Sequence, residues 1–334
     1  MDWSKGFSAS YYATIVDART WIDAGRFEIT GGSVSRTDEG LRNSADISCI
    51  NYDRDEERYI RVYMNTLQED GSPAHIALFT GLACAPDRDF NGKLVTTNLK
   101  CNSVLKPCED VLLPRGWFAQ SGLDAEIIMR ELLSVSPAPI DVEGKMPTLR
   151  ESIVAEENES HLTMTEKILT AIGWRLQLAG DGTILLKPTA KSNSIIFSPT
   201  TNDCIETKLS DSYDWYTAPN VIRAVTSERT VVYKDESDSM LSVKNRGREI
   251  WIEETDCNLN NGESLERYAE RRLTEEQQVN RTVQYTRRFF PDLYPSDHIE
   301  LRYQTLGIVG SFYIKSQSIS IGYGAPVSEE VNGI

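Results

Sequence analysis

Polar and apolar positions alternate in short runs along the first third of this chain. Between Phe7 and Val16, Tyr12, Thr14 and Val16 recur every second residue, the period of a strand. A turn is expected near Asp23-Ala-Gly25, a strand over Arg26–Thr30, and a break at Gly31-Gly32. After a polar turn at 36–40, Leu41–Ile50 alternates Ala45, Ile47 and Cys49. Glu57–Met64 alternates Tyr59 with Arg61 and Ile60 with Val62. A turn at 69–73 leads to Ala74–Phe79, and Lys93–Lys100 reads as a further strand. Strands of this length and spacing predict an antiparallel barrel or sandwich over residues 1–118.

The period then changes. Ser121 and Asp124 have capping-box spacing, followed by Leu123, Ile127, Ile128, Leu132 and Val135 at helical intervals and a stop at Pro137-Ala-Pro139. Residues 141–159 read as a linking loop with a short strand near 152–155. A second capping box at Thr163 and Glu166, with Leu162 as its staple, opens a helix that buries Ile168, Leu169 and Ile172 and stops at Gly173. A hairpin follows: Trp174–Leu178, a turn at Gly180-Asp-Gly182, then Thr183–Lys187. Residues 119–195 are thus expected to form a small α+β domain, with a polar bridge at 189–193 leading onward.

Over 196–334, strands are expected at Pro219–Val225, Arg229–Tyr233 and Arg248–Glu254, with an exposed turn at 235–239. A helix over about 262–279, capped by Asn261 or Ser264, carries Leu265, Tyr268, Ala269, Arg272 and Leu273 at helical spacing. The strand 281–289 places Val283, Tyr285, Arg287 and Phe289 on one face. A turn at 291–297 precedes strands at His298–Tyr303 and Gly310–Lys315, the latter leading into Ser318–Ile321. The fold class is mainly β with an α+β insertion: two antiparallel β-barrel-like domains flanking a small helix-plus-hairpin domain.

The chain has 334 residues, 40% of them hydrophobic and 25% charged, which describes a globular protein. No apolar run approaches the roughly 20 residues of a membrane span, and Met1-Asp-Trp-Ser-Lys-Gly lacks the apolar core of a signal peptide. A product made and assembled in the cytoplasm is therefore expected, with reduced cysteines. A formal charge of −15 argues against binding a nucleic-acid backbone. It suits either solubility or a lining past which nucleic acid slides.

Little in the sequence points to chemistry. Three histidines, His75, His161 and His298, lie far apart, and six cysteines include no Cys-x-x-Cys pair. There is no nucleophile elbow, phosphate loop or His-Glu-x-x-His. Glu156, Glu157 and Glu159 form a carboxylate cluster that reads as solvated surface rather than an acid–base pair. Arg271-Arg272 and Arg287-Arg288 are basic islands, for an acidic neighbouring subunit or for local pairing with Glu270, Glu275 and Glu276. Tyr213-Asp-Trp-Tyr216, in a loop-like stretch, and Trp117-Phe118 are candidate interface anchors or inter-domain core. No catalytic, cofactor or metal residue is assigned, and no enzyme is expected.

The order helix, strand, Pro295-Ser-Asp297 turn, strand and closing strand, with a Gly322-Tyr-Gly324 tail, resembles the last part of phage-tail baseplate hub and tail-tip hub proteins. Those include hubs of contractile phage tails and tail-like bacteriocins and the hub portion of tail-associated lysins. Family members carry Pro-Gly-Asp at the turn, so Ser296 departs from the pattern. Two further stretches are similar: Ile168–Gly173 running into the hairpin that ends Ile184-Leu-Leu-Lys-Pro188, and Ala77-Leu-Phe-Thr-Gly-Leu82. Pro219-Asn-Val-Ile-Arg-Ala-Val225 looks like the strand that opens the family's second barrel. The resemblance implies a virion structural protein of a tail baseplate or tip, forming a homotrimeric ring. Its partners would be the tail tube or distal tail protein, the spike or tip protein and the tape measure protein, with DNA only as passing cargo. In a lysin a hydrolase would follow, and with the sequence stopping at Ile334 the structural role is expected. A carbohydrate-binding or adhesive β protein of the host-recognition apparatus is the alternative from another class.

Overall fold

A computed structural model describes residues 2–3, 5–50, 52, 56–92, 94–189, 195–199, 205–226, 229–255, 257, 264–278 and 281–333. Asn261, the helix ends at 262–263 and 279, most of the bridge at 189–193, Lys93 and Cys204 lie outside them.

Six strands come first: β1 (Ser8–Val16), β2 (Asp23–Thr37), β3 (Asn43–Ile50), β4 (Arg58–Leu67), β5 (Pro73–Asn91) and β6 (Leu94–Ser103). They pair in the order β1-β4-β5-β6-β3-β2, and β2 also pairs with β1, so the pairing closes on itself. The alternation read in β3 is the observed one: Ala45, Ile47 and Cys49 are buried. Two expectations are corrected. The turn comes earlier than 23–25, with Trp21 N bonding Asp17 O. Gly31-Gly32 does not end a strand. β2 runs straight through with a register shift between Ile29 and Gly31. Gly32 has φ +135°, and a Cβ there would lie 2.1 Å from Asp46 O. The glycine permits a bulge with close backbone approach. β3 keeps the ladder going on one edge, while the other passes from β1, whose pairing ends at Glu28, to β19, whose pairing starts at Gly32.

Residues 106–188 contain α1 (Lys106–Asp110), β7 (Phe118–Ala119), α2 (Ala125–Leu133), β8 (Ile140–Val142), β9 (Ile153–Val154), α3 (His161–Ile172), β10 (Trp174–Leu178) and β11 (Ile184–Pro188). The hairpin and the left-handed Gly173 stop stand as read. Both N-caps sit three residues from the expected place: Asp124 accepts from Glu126 N and Ser160 from Thr163 N. The stripe on α2 rotates accordingly. Leu123 and Ile127 are exposed, whereas Ile128, Met129, Leu132 and Leu133 are buried. β8, unread in the sequence, adds in parallel to β11.

The hairpin locks the insertion to both ends of the chain. Its turn enters a socket on the first strands. Asp181 O accepts from Trp21 Nε1 at 3.1 Å and Arg61 Nη2 at 3.0 Å, and Gly180 O accepts from Thr80 Oγ1 at 2.9 Å. Only glycine fits at 180, where a Cβ would lie 1.7 Å from Ala77 O. At the other end Arg175 donates to Asp297 at 2.9 Å and to Ser296 O, so the Pro295-Ser-Asp297 turn holds the hairpin arms. Ser296 there has φ +66°, the conformation glycine adopts without strain.

The rest comprises β12 (Ile195–Phe197), β13 (Ile205–Tyr213), β14 (Val221–Val225), β15 (Thr230–Lys234), α4 (Val243–Arg246), β16 (Trp251–Thr255), α5 (Leu265–Gln278), β17 (Arg281–Arg287), β18 (His298–Tyr303), β19 (Ile308–Ile321) and β20 (Val327–Gly333). β14, expected to open a second barrel, instead centres a separate three-stranded sheet with β15 antiparallel and β16 parallel, backed by α5. Parallel pairing needs a long connection, which the exposed turn and α4 supply. Ser264 caps α5, accepting from Arg267 N. The Gly322-Tyr-Gly324 tail is no tail but the turn into β20, and Tyr213 ends a strand rather than lying in a loop. The remaining strands continue the first set through β2-β19, giving one 12-stranded sheet ordered β1-β4-β5-β6-β3-β2-β19-β20-β17-β13, with β18 on β19 and β12 on β18. The fold is thus mainly β, its large sheet antiparallel except where β12 pairs in parallel with β18, with an α+β insertion.

Candidate functional surfaces

β2, β19, β20 and β17 form the seam where the N-terminal strands meet the C-terminal ones, and their two faces differ in kind. On the inner face, Val34, Ile319, Val327 and Val283 are buried apolar side chains. Beside them in the same alternation stand Arg36, Gln317, Glu329 and Arg287, also buried. Arg36 is opposite Gln317 and Gln317 opposite Glu329. Arg287 Nη2 donates to Glu329 Oε1, a pair whose side chains are 1% and 0% exposed. Gln317 Nε2 donates to the same oxygen at 2.7 Å and to Leu293 O at 3.1 Å. Arg36 donates to Leu78 O at 2.8 Å and lies 4.6 Å over the Tyr294 ring. Burial pulls its pKa below the ordinary arginine value, and the Arg287 charge adds to that pull while Tyr294 opposes it. Buried charges persist only when paired and hydrogen-bonded.

The outer face of the same strands is lined by small hydroxyls. Ser44, Ser35, Ser318, Ser328 and Thr286 stand in register across β3, β2, β19, β20 and β17. A second row reads Thr37, Ser316, Glu330, Gln284 and Ser210. Glu330 is held by Gln284 Nε2 at 3.0 Å and Lys315 Nζ at 3.1 Å. Apart from Ser44, these rows line a shallow groove of about 580 Å³.

The residues singled out by sequence are mostly dispersed or satisfied. His75 stacks on Tyr63 at 4.5 Å and bonds Asn65 through Nδ1 at 2.7 Å. His161 opens α3 with Nδ1 at 3.0 Å from Leu132 O, and His298 begins β18. Glu156 and Glu159 both pair with Lys167. Arg272 reaches Glu254, Glu275 and Glu276, and Arg271 reaches Glu275, so local pairing accounts for that island. Arg287 joins the seam. Trp117 packs against the insertion's core while Phe118 is exposed, as are Tyr213, Trp215 and Tyr216. Among the described residues no group of three or more His, Cys, Asp or Glu is placed to hold a metal, and no helix is long and apolar enough to cross a membrane.

Arg36, Gln317 and Glu329 were not picked out from the sequence, although a signal exists for one of them. Glu329 stands midway between Val327 and Val331, a charged residue in an inward slot of a two-residue period.

No protein-family model matches the sequence, and no curated protein matches it. Solved structures do. The tail protein from Neisseria meningitidis MC58 is similar with a TM-score of 0.69 at 13% identity, over 98% of this chain and 97% of that one. The 43 kDa tail protein of prophage MuSo2 from Shewanella oneidensis gives 0.67 at 12%, over 97% of each chain. The E. coli c3393 protein is a component of the type VI secretion system with structural similarity to the T4 bacteriophage tail proteins gp27 and gp5. It gives 0.51 at 9%, over 92% of this chain and 74% of that one. At such identities the likeness is one of fold, and it spans nearly the whole molecule: this chain has the fold of phage tail proteins.

Proposed function

We propose that the chain is a structural subunit of a phage tail or tail-like particle, specifically a baseplate or tail-tip hub in which three copies close a ring around the tail axis. The observation that carries this reading is the end-to-end fold match with two tail proteins. The similarity of a further neighbour to gp27 and gp5 supports the hub position. On this reading residues 1–118 and 196–334 act as two barrel-like ring modules, and 119–195 braces them through the Gly180 socket and the Asp297 clamp. Three copies then present six modules, which lets a threefold hub meet a sixfold tube. The ring joins the tube end to the spike or tip and gates passage of tape measure and DNA. The hydroxyl-rich seam face suits a surface beside moving nucleic acid: it offers hydrogen-bonding groups but no run of Lys and Arg to hold phosphates. The mechanism is mechanical, and no catalytic step is assigned. The test is the native mass of the purified chain, alone and in tail preparations. Three copies in either setting supports the hub, and a monomer in both refutes it.

A carbohydrate-binding or adhesive role has one observation in its favour, the exposed aromatic side chains of Trp215, Tyr216 and Trp251. Binding of the isolated chain to a glycan array would select it.

A further inference from the structure

β10 buries both of its faces. Leu176 and Leu178 belong to the insertion's core, whereas Gln177, on the opposite side of the strand, lies outside that core and is still only 8% exposed. Arg175, on the same side as Gln177, holds the turn at 295–297. Gln177 Oε1 has no such contact: it is sealed from solvent and meets no hydrogen-bonding group among the described residues. Two further atoms share that condition, Asn43 Oδ1 and Arg42 Nε. Asn43 opens β3 opposite Arg36 and is 7% exposed. Arg42 Nη2 donates to Glu166 of α3 at 2.9 Å, which leaves its Nε–H without an acceptor.

Folded proteins leave few buried polar atoms unpaired. Arg42, Asn43 and Gln177 all line one small cavity of about 10 Å³. Its walls come from three parts of the chain: the β2–β3 connection, β10 and the turn at 294–296. That space takes about one water molecule and nothing larger. The chemistry of the walls selects the same occupant. Two amide oxygens need donors, which no anion without a proton supplies. The arginine N–H needs an acceptor, which neither a metal ion nor ammonium supplies. A water molecule donates twice and accepts as well.

We propose that one water is built into this junction, donating to Asn43 Oδ1 and Gln177 Oε1 and accepting from the Arg42 Nε–H. Gln177 lies on β10 between the Arg175 clamp and the Gly180 socket, so the water ties the strand to the start of β3 between those two attachments. It makes the contact of the insertion with the first strands a hydrogen-bonded one along the length of β10, and a bridging water is nearly as good a link as a direct bond.

A high-resolution crystal structure of the full chain tests this. The expected result is one ordered water at hydrogen-bond distance, about 2.7–3.2 Å, from Asn43 Oδ1, Gln177 Oε1 and Arg42 Nε. A cavity without density, a peak with metal-like contacts of about 2.3–2.6 Å, or both amides bonded to protein groups instead would each overturn the proposal. The solution test is magnetic relaxation dispersion of the water oxygen, which counts long-lived internal waters, on the wild type and on the double variant Asn43→Leu/Gln177→Met. Far-UV circular dichroism is the folding control. The variant removes both acceptors at nearly constant side-chain volume, so it should lose one water from the wild-type count. A folded variant with an unchanged count overturns the site, and the crystal result decides whether or not the variant folds.

Discussion

Replacing Glu329 by Gln is the sharpest probe of the seam. The change is nearly isosteric, so it removes charge without opening a cavity. In the folded chain Glu329 accepts from Arg287 and from Gln317, with both ion-pair side chains sealed from water. The neutral amide would leave Arg287 buried without its counter-charge, and Arg36, 4.6 Å over the Tyr294 ring, adds a second buried cation on the same face. Breaking a buried pair by removing one partner costs about 3–5 kcal/mol, against a domain stability of about 5–15 kcal/mol. Urea unfolding followed by far-UV circular dichroism should show the midpoint falling at unchanged slope. The companion variant Arg287→Met/Glu329→Leu removes both charges and keeps apolar volume. It should recover most of the loss, since well-packed apolar replacements of buried pairs are often neutral or better. A loss below about 1 kcal/mol for Glu329→Gln, or a double variant no better than the single one, would refute the reasoning.

Three other outcomes follow from local geometry. Ser296→Gly should stabilise the chain by about 1 kcal/mol in thermal or urea unfolding, because Ser296 holds a left-handed φ of +66° that a side chain disfavours. Gly180→Ala should destabilise by about 1–3 kcal/mol and hasten proteolysis within the insertion, since the added carbon meets Ala77 O and the socket must open. Glu254 makes the docking of α5 acid-sensitive. Burial alone would raise its pKa, but hydrogen bonds from Arg272 and Tyr268 outweigh that and hold it below the ordinary 4.5. A depressed folded pKa gives stability that is present above the unfolded value and lost as pH falls through the folded one. Amides of α5 should therefore exchange faster below about pH 4, and Glu254→Gln should flatten that dependence.

Local signals were legible where one residue decides the conformation. Gly173 stops α3, the Gly180-Asp-Gly182 hairpin stands, and Ala45, Ile47 and Cys49 lie inside as alternation requires. Reading failed where long-range pairing overrode a local cue. Gly31-Gly32 reads as a break, yet β3 pairs with β2 on both sides of it and β19 joins from Gly32 onward. Gly322-Tyr-Gly324 reads as an ending, yet β20 follows and pairs with both β17 and β19. The caps were misplaced because Ser121 and Asp124, like Thr163 and Ser160, are all capping types, and only the backbone path chooses between them. The seam was the least visible feature. Its residues are scattered from Arg36 to Glu329 and meet only through the β2-β19-β20-β17 order. Ser296 is the reverse case: the sequence showed a departure from the glycine expected there, and the conformation shows why glycine is the usual residue.

The two faces of the seam constrain one another. Side chains alternate across a strand, so sliding β19 by one residue against β2 would turn Gln317 outward and Ser318 inward. Arg36 and Glu329 would then lose the partner that sits between them, and bare hydroxyls would enter the core. A serine-rich strand sets its own register weakly, because Ser against Ser recurs after a slip of two residues. The buried row supplies what the hydroxyl face lacks, a pairing with a single low-energy alignment. On this reasoning the Arg287→Met/Glu329→Leu variant can keep its stability and still lose definition. Its amides in β19 and β2 should exchange faster than those of the wild type while the urea midpoint holds. Equal protection in the two proteins would show that the apolar neighbours Val34, Ile319 and Val327 already fix the register, and that the ions serve packing alone.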